Sequence, residues 1–385
     1  VNDASPGRAR LERLAVRDFR NLARVDLAPP DEGLVVVGEN GQGKTNLLEA
    51  IYYLAILRSM RGARDQDLVR FGADTFHVGA EVETDRHHEI GVGFERAGKR
   101  KRVRIDGDIP ERLSDALGAL PSVMFSPADV ELIAGSPAAR RRYLDIMLAL
   151  TARGYLNALQ RYRAALARRN AALRDAVRSA RSSDAAAAVA VWEPPLAEHG
   201  AALIRERSAW TDASAARFEQ LCTSIGETTA VRMRYASNVD TDGDVRGALA
   251  NALEEKRALD LRRGLTHAGP HRDELHITID GPDGTARDLR TFGSAGQQRS
   301  AAIALRMLEA VTFTERMGRS PLFLLDDPFA ELDVRRSTNV LRLLVETGLG
   351  QTLLVVPRDS DIPDAFTGLE RARIAGGTIM QDSVS

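Results

Sequence analysis

The chain carries one cysteine, Cys222, in 385 residues. An intrachain disulfide and a cysteine metal site are therefore excluded, and a reducing cytoplasm is the expected compartment. No apolar stretch approaches the roughly 20 residues that a helix needs to cross a bilayer. The first residues, Val1–Arg10, lack the apolar core of a signal peptide. Neither a membrane span nor secretion is expected. Charge of one sign is also lacking: the formal net charge is −1, so global electrostatics gives no case for a polyanionic partner, although local charge can. Lysine is scarce, appearing only at 44, 99, 101 and 256 among 53 basic residues. Codon bias in a GC-rich genome accounts for the arginine and the abundant alanine, although arginine is also the better phosphate fork. What remains is an ordinary globular composition, 44% hydrophobic and 28% charged, long enough for two or three domains.

Residues 38–45 read Gly-Glu-Asn-Gly-Gln-Gly-Lys-Thr, directly behind the apolar run Leu34–Val37. This is a strand running into a phosphate loop, followed by a helix expected from about Asn46 to Leu57. Glycines let the loop curl so that backbone N–H groups point at an anion, and the helix N-terminus adds a favourable dipole. Gly38, Glu39, Asn40, Gly41, Gln42, Gly43, Lys44, Thr45 and Asn46 are the expected nucleotide-binding residues. Lys44 is expected on the β- and γ-phosphates and Thr45 on Mg2+.

Further along, Leu11–Phe19 and Ala23–Leu27 alternate apolar and polar residues around Arg20–Asn21, as in a hairpin. Phe76–Thr84, His88–Glu95 and Arg102–Asp106 alternate again, as in an antiparallel meander. From Thr151 to about Arg181 helical spacing predicts a rod roughly 45 Å long. Ser182–Asp184 breaks it, and Pro194-Pro195 opens a second helix to about Cys222. The pair reads as an antiparallel helical arm inserted into an α/β pattern. That pattern resumes with a strand at Glu274–Asp280, a helix at Ala295–Arg316, a strand at Pro321–Asp326, a helix at Val334–Glu346 and a strand at Thr352–Val356.

Two more pieces complete an ATPase. Leu322–Leu325 ends in Asp326-Asp327, and a hydrophobic strand ending in a carboxylate is the usual Mg2+-holding partner of a phosphate loop. Asp326 is expected on the metal, and Asp327 as general base or positioner of the attacking water. Phe292-Gly293-Ser294-Ala295-Gly296-Gln297-Gln298 opens a helix with Ser294 as N-cap and a bare first turn. It resembles the signature helix of ABC-type ATPases, which faces the γ-phosphate bound by the opposite subunit. On that pattern each site takes Lys44, Thr45, Asp326 and Asp327 from one chain and Ser294, Gly296 and Gln297 from the other. Glu331-Leu332-Asp333 resembles the dimer-facing loop of the same class.

The chain as a whole resembles the RecF family of bacterial recombination-repair ATPases. Asp18-Phe19-Arg20-Asn21, the segment Asn40–Asn46 with Leu48–Tyr52 behind it, and Ser59-Met60-Arg61 match its N-terminal segments. Phe125-Ser126-Pro127-x-Asp129, Gly135-x-Pro137, Arg140-Arg141-Arg142, Leu144-Asp145 and Gly269-Pro270-His271-Arg272-Asp273 resemble its central ones. The paired aspartates, where transporters usually carry Asp-Glu, are also RecF-like. The resemblance implies an ABC-type P-loop head, with a mixed sheet, an antiparallel β meander and an inserted α-helical arm. The expected division is 1–125 for the first part of the ATPase lobe, 126–228 for the arm and 229–385 for the second part. It adds Arg20 to the nucleotide site. It further implies an ATP-dependent homodimer with slow, DNA-stimulated hydrolysis of ATP to ADP and phosphate. The implied DNA partners are duplex and gapped or single-strand/double-strand junctions. Work with RecR and RecO in loading RecA onto gaps is implied as well. One departure stands out. The strand Thr352–Val356 runs into Pro357-Arg358, where ABC ATPases usually place a γ-phosphate-sensing histidine and many RecF proteins a hydroxyl residue.

Arg96 and Lys99–Arg104 form a dense basic run around a predicted hairpin, with Arg100, Lys101 and Arg102 the expected DNA contacts. Arg140–Arg142 and the arm residues Arg161, Arg163, Arg168, Arg169, Arg174, Arg178 and Arg181 form others. Little aromatic interleaving accompanies these runs, so phosphate rather than base recognition is expected, with strong salt dependence. The alternatives are an ABC transporter ATPase subunit, an SMC-class DNA-bridging ATPase and a small-molecule P-loop kinase. A transporter subunit shares all three motifs but not the Arg-rich two-helix arm. An SMC protein needs far longer coils, and a kinase gives no reason for Ser294-x-Gly296-Gln297.

Overall fold

The computed structural model describes residues 7–179, 182–329, 332–346, 348 and 350–381. The chain divides into two compact units. One takes residues 1–129, 224–226 and 302–385, and the other takes 130–223 and 227–301.

The first unit is built around the helix Lys44–Ile56. Nearly every side of this helix is apolar or aromatic, and Leu47, Leu48 and the whole run Ala50–Ile56 are buried. A helix of this kind needs cover all round rather than on one stripe. Two sheets provide it, and the helix contacts both. One is six-stranded, in the order Thr378–Gln381, Glu370–Ala375, Gly33–Val37, Thr352–Val356, Leu322–Asp326, Ser122–Phe125. All neighbours in it are parallel except the edge pair of Glu370–Ala375 and Thr378–Gln381. Its central strands are continuous apolar runs with no exposed residue, as parallel strands covered on both faces require. The other sheet is five-stranded and antiparallel, in the order Leu22–Leu27, Arg10–Phe19, Thr75–Glu83, His87–Glu95, Arg100–Ile105. Alternate residues of its strands turn inward. Phe19, Phe76 and Tyr53 of the helix meet edge to face with centroids 5.3–5.9 Å apart, and Phe76 stacks on Phe94 at 5.8 Å.

The second unit is mainly helical. Tyr155–Ser179 and Glu193–Ile225 run antiparallel, as three contacts show. Arg207 donates to the Tyr155 hydroxyl at 2.9 Å, a Cβ on Gly200 would lie 3.1 Å from the Tyr162 ring, and Arg169 reaches Glu193 at 3.0 Å. The expected hairpin thus exists, but it is not a free-standing pair. The helix Val245–Arg263, unforeseen in the sequence, packs on Tyr155–Ser179 with Val245, Leu249 and Leu253 buried at four-residue spacing. A short helix Ser182–Ala190 follows the first rod, and the expected end of that rod at Arg181 lies outside the described residues. The strands Val231–Ala236, Glu274–Asp280 and Ala286–Asp288 complete the unit as an antiparallel sheet. Residues 227–301 therefore belong with the arm rather than with the phosphate-loop unit, which the sequence reading did not separate.

Two arginines of the other basic runs are internal. Arg169 is fully buried and bound to Asp260, Glu193 and Thr266. Arg140 is buried, donating to Glu274 and to the carbonyls of Leu132, Ile133 and Gly135. A buried arginine stays charged and needs partners inside the fold, so neither is available to a polyanion.

His271 is held between Tyr162 and Thr266. The Thr266 carbonyl can only accept, so Nε2 carries the proton and the Tyr162 hydroxyl donates to Nδ1 at 2.6 Å. Burial, with Arg272 and Arg141 nearby, lowers the His271 pKa from 6.5 to about 4, against the opposing effect of the Thr266 hydrogen bond. A histidine with a lowered folded pKa stabilises the fold above the unfolded value, and that stability is lost as pH falls from 6.5 towards 4. The loss amounts to about 3 kcal/mol once both states are protonated. Trp192 and Trp210, the only two tryptophans, both lie in this unit, so tryptophan emission during urea unfolding reads it selectively. The midpoint is expected to fall between pH 7 and pH 5, and to fall less in His271→Gln.

Candidate active site

Three parallel strands bring the chemistry together. Asp326 is in register with Val355, and Val355 with Val36, so the phosphate loop after Val37 and the paired aspartates leave the same end of the sheet. The loop turns at Gly41 (φ 81°) and Gly43 (φ 113°), both left-handed. At Gly43 a Cβ would also meet the Asn21 side chain at 2.9–3.0 Å, so only glycine fits. Asn21 is fixed in turn, accepting from Asn46 Nδ2 at 2.8 Å.

Lys44 is buried, and its Nζ donates to the carbonyls of Gly38 and Glu39 at 2.5 and 2.9 Å. Burial lowers its pKa, which Asp326 and Asp327 oppose. Thr45 Oγ1 donates to Asp326 Oδ1 at 3.1 Å. Burial raises the Asp326 pKa, and Asp327 adds to the rise, while Thr45, Arg61 and Lys44 counter it. Asp327 adopts φ 45°, and its N–H donates to the Val355 carbonyl at 3.0 Å. This strained turn places consecutive carboxylates on one cavity.

That cavity, about 370 Å3, is lined by Asn40, Gly41, Gly43, Lys44, Thr45 and Asn46 of the loop and helix, and by Asp326 and Asp327. Arg61, Pro127 and Pro357 complete it. Most of the expected residues thus converge. Gly38 and Glu39 do not line it, but supply the carbonyls that hold Lys44. Gln42 faces the C-terminal hairpin, accepting from the N–H groups of Gly376 and Gly377 at 2.6 and 2.9 Å. Arg20 forms a two-pronged pair with Glu49 at 3.1 and 3.2 Å and is not among the lining residues. Arg358 is exposed, whereas its neighbour Pro357 reaches the cavity.

Arg61 and Glu49 were not singled out as functional residues in the sequence. Glu49 is fully buried in the apolar helix, where it accepts from Arg20 and from Ser59 Oγ at 2.6 Å. Ser59 Oγ accepts the Arg61 N–H at 3.1 Å, and the Arg61 side chain donates to Asn46 at 3.4 Å. A lone glutamate in a run of apolar residues, ten residues before a Ser-x-Arg, was the available signal. Burying a charge there needs partners brought in from outside the helix.

Ser294, Gly296 and Gln297 lie in the other unit. Ser294 Oγ accepts from the Gln297 N–H at 3.2 Å, and Gln297 Oε1 accepts from the Ser294 N–H at 2.9 Å. This reciprocal capping box fixes an exposed helix start. Glu331 of the expected dimer-facing loop lies outside the described residues.

The three expected DNA contacts diverge. Lys101 turns inward with Val103, bonding to the Leu57 carbonyl at 2.5 Å and to Asp65 at 3.0 Å, with its Nζ 4.8 Å from the Tyr53 ring centroid. It is a structural cation that ties the hairpin to the helix. Arg102 is exposed on the opposite face, and Arg100 is exposed and paired with Glu95 at 2.8 Å. The period of two in a strand accounts for the split.

A family model described as RecF/RecN/SMC N terminal domain matches residues 10–366. The DNA replication and repair protein RecF of Geobacter sp. (strain M21) is 37% identical, over 87% of this chain and 90% of its own length. The protein of the same name from Geotalea daltonii is 35% identical, over 96% of this chain and 100% of its own. A solved structure of the recombination mediator protein RecF with ATP, in the RecFOR pathway, covers 100% of both chains with a TM-score of 0.88 and 28% identity.

The Glu49 cluster yields a test. Glu49→Gln keeps the shape but leaves the Arg20 guanidinium without its counter-charge. Breaking such a pair should cost about 2–4 kcal/mol, at or below the usual range because Arg20 is partly exposed. Thermal unfolding should show the loss, and nucleotide titration should show weaker binding because the Ser59–Arg61 connector is released.

Proposed function

The chain belongs to the RecF family, and from that premise we propose that it is a DNA-repair ATPase that binds ATP and Mg2+ and cleaves the nucleotide slowly in an ATP-clasped homodimer. The observation that carries this is the convergence of Lys44, Thr45, Asp326 and Asp327 on one cavity. Lys44 neutralises the β- and γ-phosphates while loop N–H groups cradle them. The donor set suits Mg2+: Thr45 and Asp326 offer two hard oxygens 3.1 Å apart. Thr45 and Asp326 would hold the cation, and when bound it would offset charge between the phosphates. Asp327 orients the attacking water. Its side chain is one methylene shorter than the glutamate of transporters, and positioning errors near 1 Å cost about 100-fold, so slow turnover is expected. Family membership sets aside the transporter alternative.

The Ser294 cap supports the composite site. Its oxygen accepts within the capping box, which leaves the hydroxyl proton to donate to a γ-phosphate held by a second copy.

DNA is the proposed polyanion, and the outer face of the antiparallel sheet is the proposed contact. Register places Arg24, Arg17, His77, Gly93 and Arg102 in one row across the strands, and Asp26, Ala15, Gly79, Gly91 and Arg104 in the next, with Asp26 paired to Arg13. The glycines leave a bare floor between exposed arginines, with His77 lying over it. Contact through phosphates fits this surface, with weak sequence preference. Action at gapped or junction DNA with RecR and RecO, in support of RecA loading, is the family's role and is proposed for this chain on that ground.

Mass measurements with and without ATP, together with DNA-dependent hydrolysis, test the nucleotide reading. Lys44→Met should lose ATP-driven dimers, Asp327→Asn should accumulate them, and Ser294→Arg should bind nucleotide yet stay monomeric. Normal turnover by Ser294→Arg would refute the shared site.

DNA titrations across salt concentrations test the surface. Replacing Arg102 and Arg104 by alanine should reduce the slope of log K against log salt by about 2, near 0.9 per lost phosphate contact. Lys101→Met should lower thermal stability and leave the slope unchanged. The reverse pattern would count against the sheet face.

A further inference from the structure

The segment joining the helix Lys44–Ile56 to the strand Thr75–Glu83 ends in a feature that the nucleotide chemistry does not use. Leu68 and Val69 are buried there, yet two residues later Phe71 is 98% exposed. Burying a phenylalanine contributes roughly 1.5–3 kcal/mol, and here the fold forgoes it entirely. The exposure is not that of a loose loop. Ala73 N–H donates to the Arg70 carbonyl at 3.0 Å, closing a four-residue turn with Phe71 and Gly72 at its tip. Gly72 has φ 83°, the left-handed value that the third position of a type II turn requires.

Both flanks of the turn are braced. Arg70 bonds to Asp18 through its own N–H at 2.8 Å and through Nε at 2.6 Å. Arg96 donates from Nη2 to the Val69 carbonyl at 3.3 Å, and from its backbone N–H to Asp74 at 2.9 Å. Arg96 also opens the tight turn that Lys99 closes, N–H to carbonyl at 3.2 Å. The ring is thus presented on a fixed mount between Arg70, which is paired with Asp18, and Asp74, with Arg96 bracing the turn from the neighbouring strand end. A fully exposed ring with two arginines next to it matches an unpaired base and its phosphates, since stacking tolerates any base and the arginines can reach the backbone. A protein partner would favour further exposed apolar groups around it, and Phe71 is the only large apolar side chain exposed between Val69 and Asp74.

We propose that Phe71 stacks on the first unpaired base at a single-strand/double-strand junction, giving the protein a preference for such ends over continuous duplex. This rests on the proposed DNA reading and adds the residue that distinguishes one DNA form from another. The test uses the full-length protein, Phe71→Ala and Phe71→Trp, a duplex, and the same duplex with a single-stranded extension carrying 2-aminopurine at its first unpaired position. Expected for the parent is tighter binding to the extended duplex with quenching of 2-aminopurine emission. Phe71→Ala should lose the quenching and about 5- to 150-fold of junction affinity, with duplex affinity unchanged, and Phe71→Trp should retain both. Equal junction binding and quenching by Phe71→Ala would overturn the proposal. So would a Phe71→Ala protein that loses ATP-driven dimers while binding both DNAs normally, since the ring would then contact protein. If the parent binds neither DNA, the DNA reading itself falls, and this inference with it.

Discussion

The register of three parallel strands is the constraint from which the rest of the site follows. Gly33–Val37, Thr352–Val356 and Leu322–Asp326 pair so that Val36, Val355 and Asp326 share a row. Slipping one strand by a single residue would reverse its faces and carry Asp326 away from Thr45. The strands are held in place by burial on both sides, and the covering element on one side is the helix that begins with Lys44 and Thr45. Core packing and phosphate chemistry therefore share the same residues. Glu49 shows the cost of that economy: a charge set inside the covering helix and answered by Arg20 and Ser59, which in turn place Arg61 at the cavity.

Many of the segments by which the chain resembles its family have structural duties. Asp129 accepts from Arg306 and from the Ser126 N–H, within the unit that holds the phosphate loop. Asp145 binds Arg207, Arg163 and the Tyr155 hydroxyl in the arm, and Asp273 binds Tyr235 and the Asn238 N–H. These clusters are largely buried and networked, so removing one member would strand the others. Among the arginines that make the sequence look suited to a polyanion, Arg163 is engaged in this way, and Arg140 and Arg169 in buried clusters of the same kind.

Legibility followed physical locality. The phosphate loop, the paired aspartates and the capping box are short and contiguous, so the chemistry of each could be read from adjacent residues. The long elements with clean periodicity were also placed: the meander, both rods of the arm and the central parallel strands. The helix Val245–Arg263 escaped because its buried stripe is thin and its surface polar. The strands Glu370–Ala375 and Thr378–Gln381 escaped because they are short and flank the sheet, where pairing rather than composition decides. Lys101 could have been assigned inward, since it shares a strand face with Val103, but runs of like charge draw attention away from alternation. Arg169 could not, because its partners lie 24 and 91 residues away in the chain.

The account turns on a nucleotide-cleaving centre completed only by a second copy of the chain. Mixing two inactive variants tests this most directly. Lys44→Met retains the signature segment, Ser294→Arg retains the phosphate loop, and neither should hydrolyse ATP alone. Mixed, they can form one dimer in which the intact loop of one chain meets the intact signature of the other. The account predicts that hydrolysis reappears on mixing. A mixture as inactive as its components would contradict it.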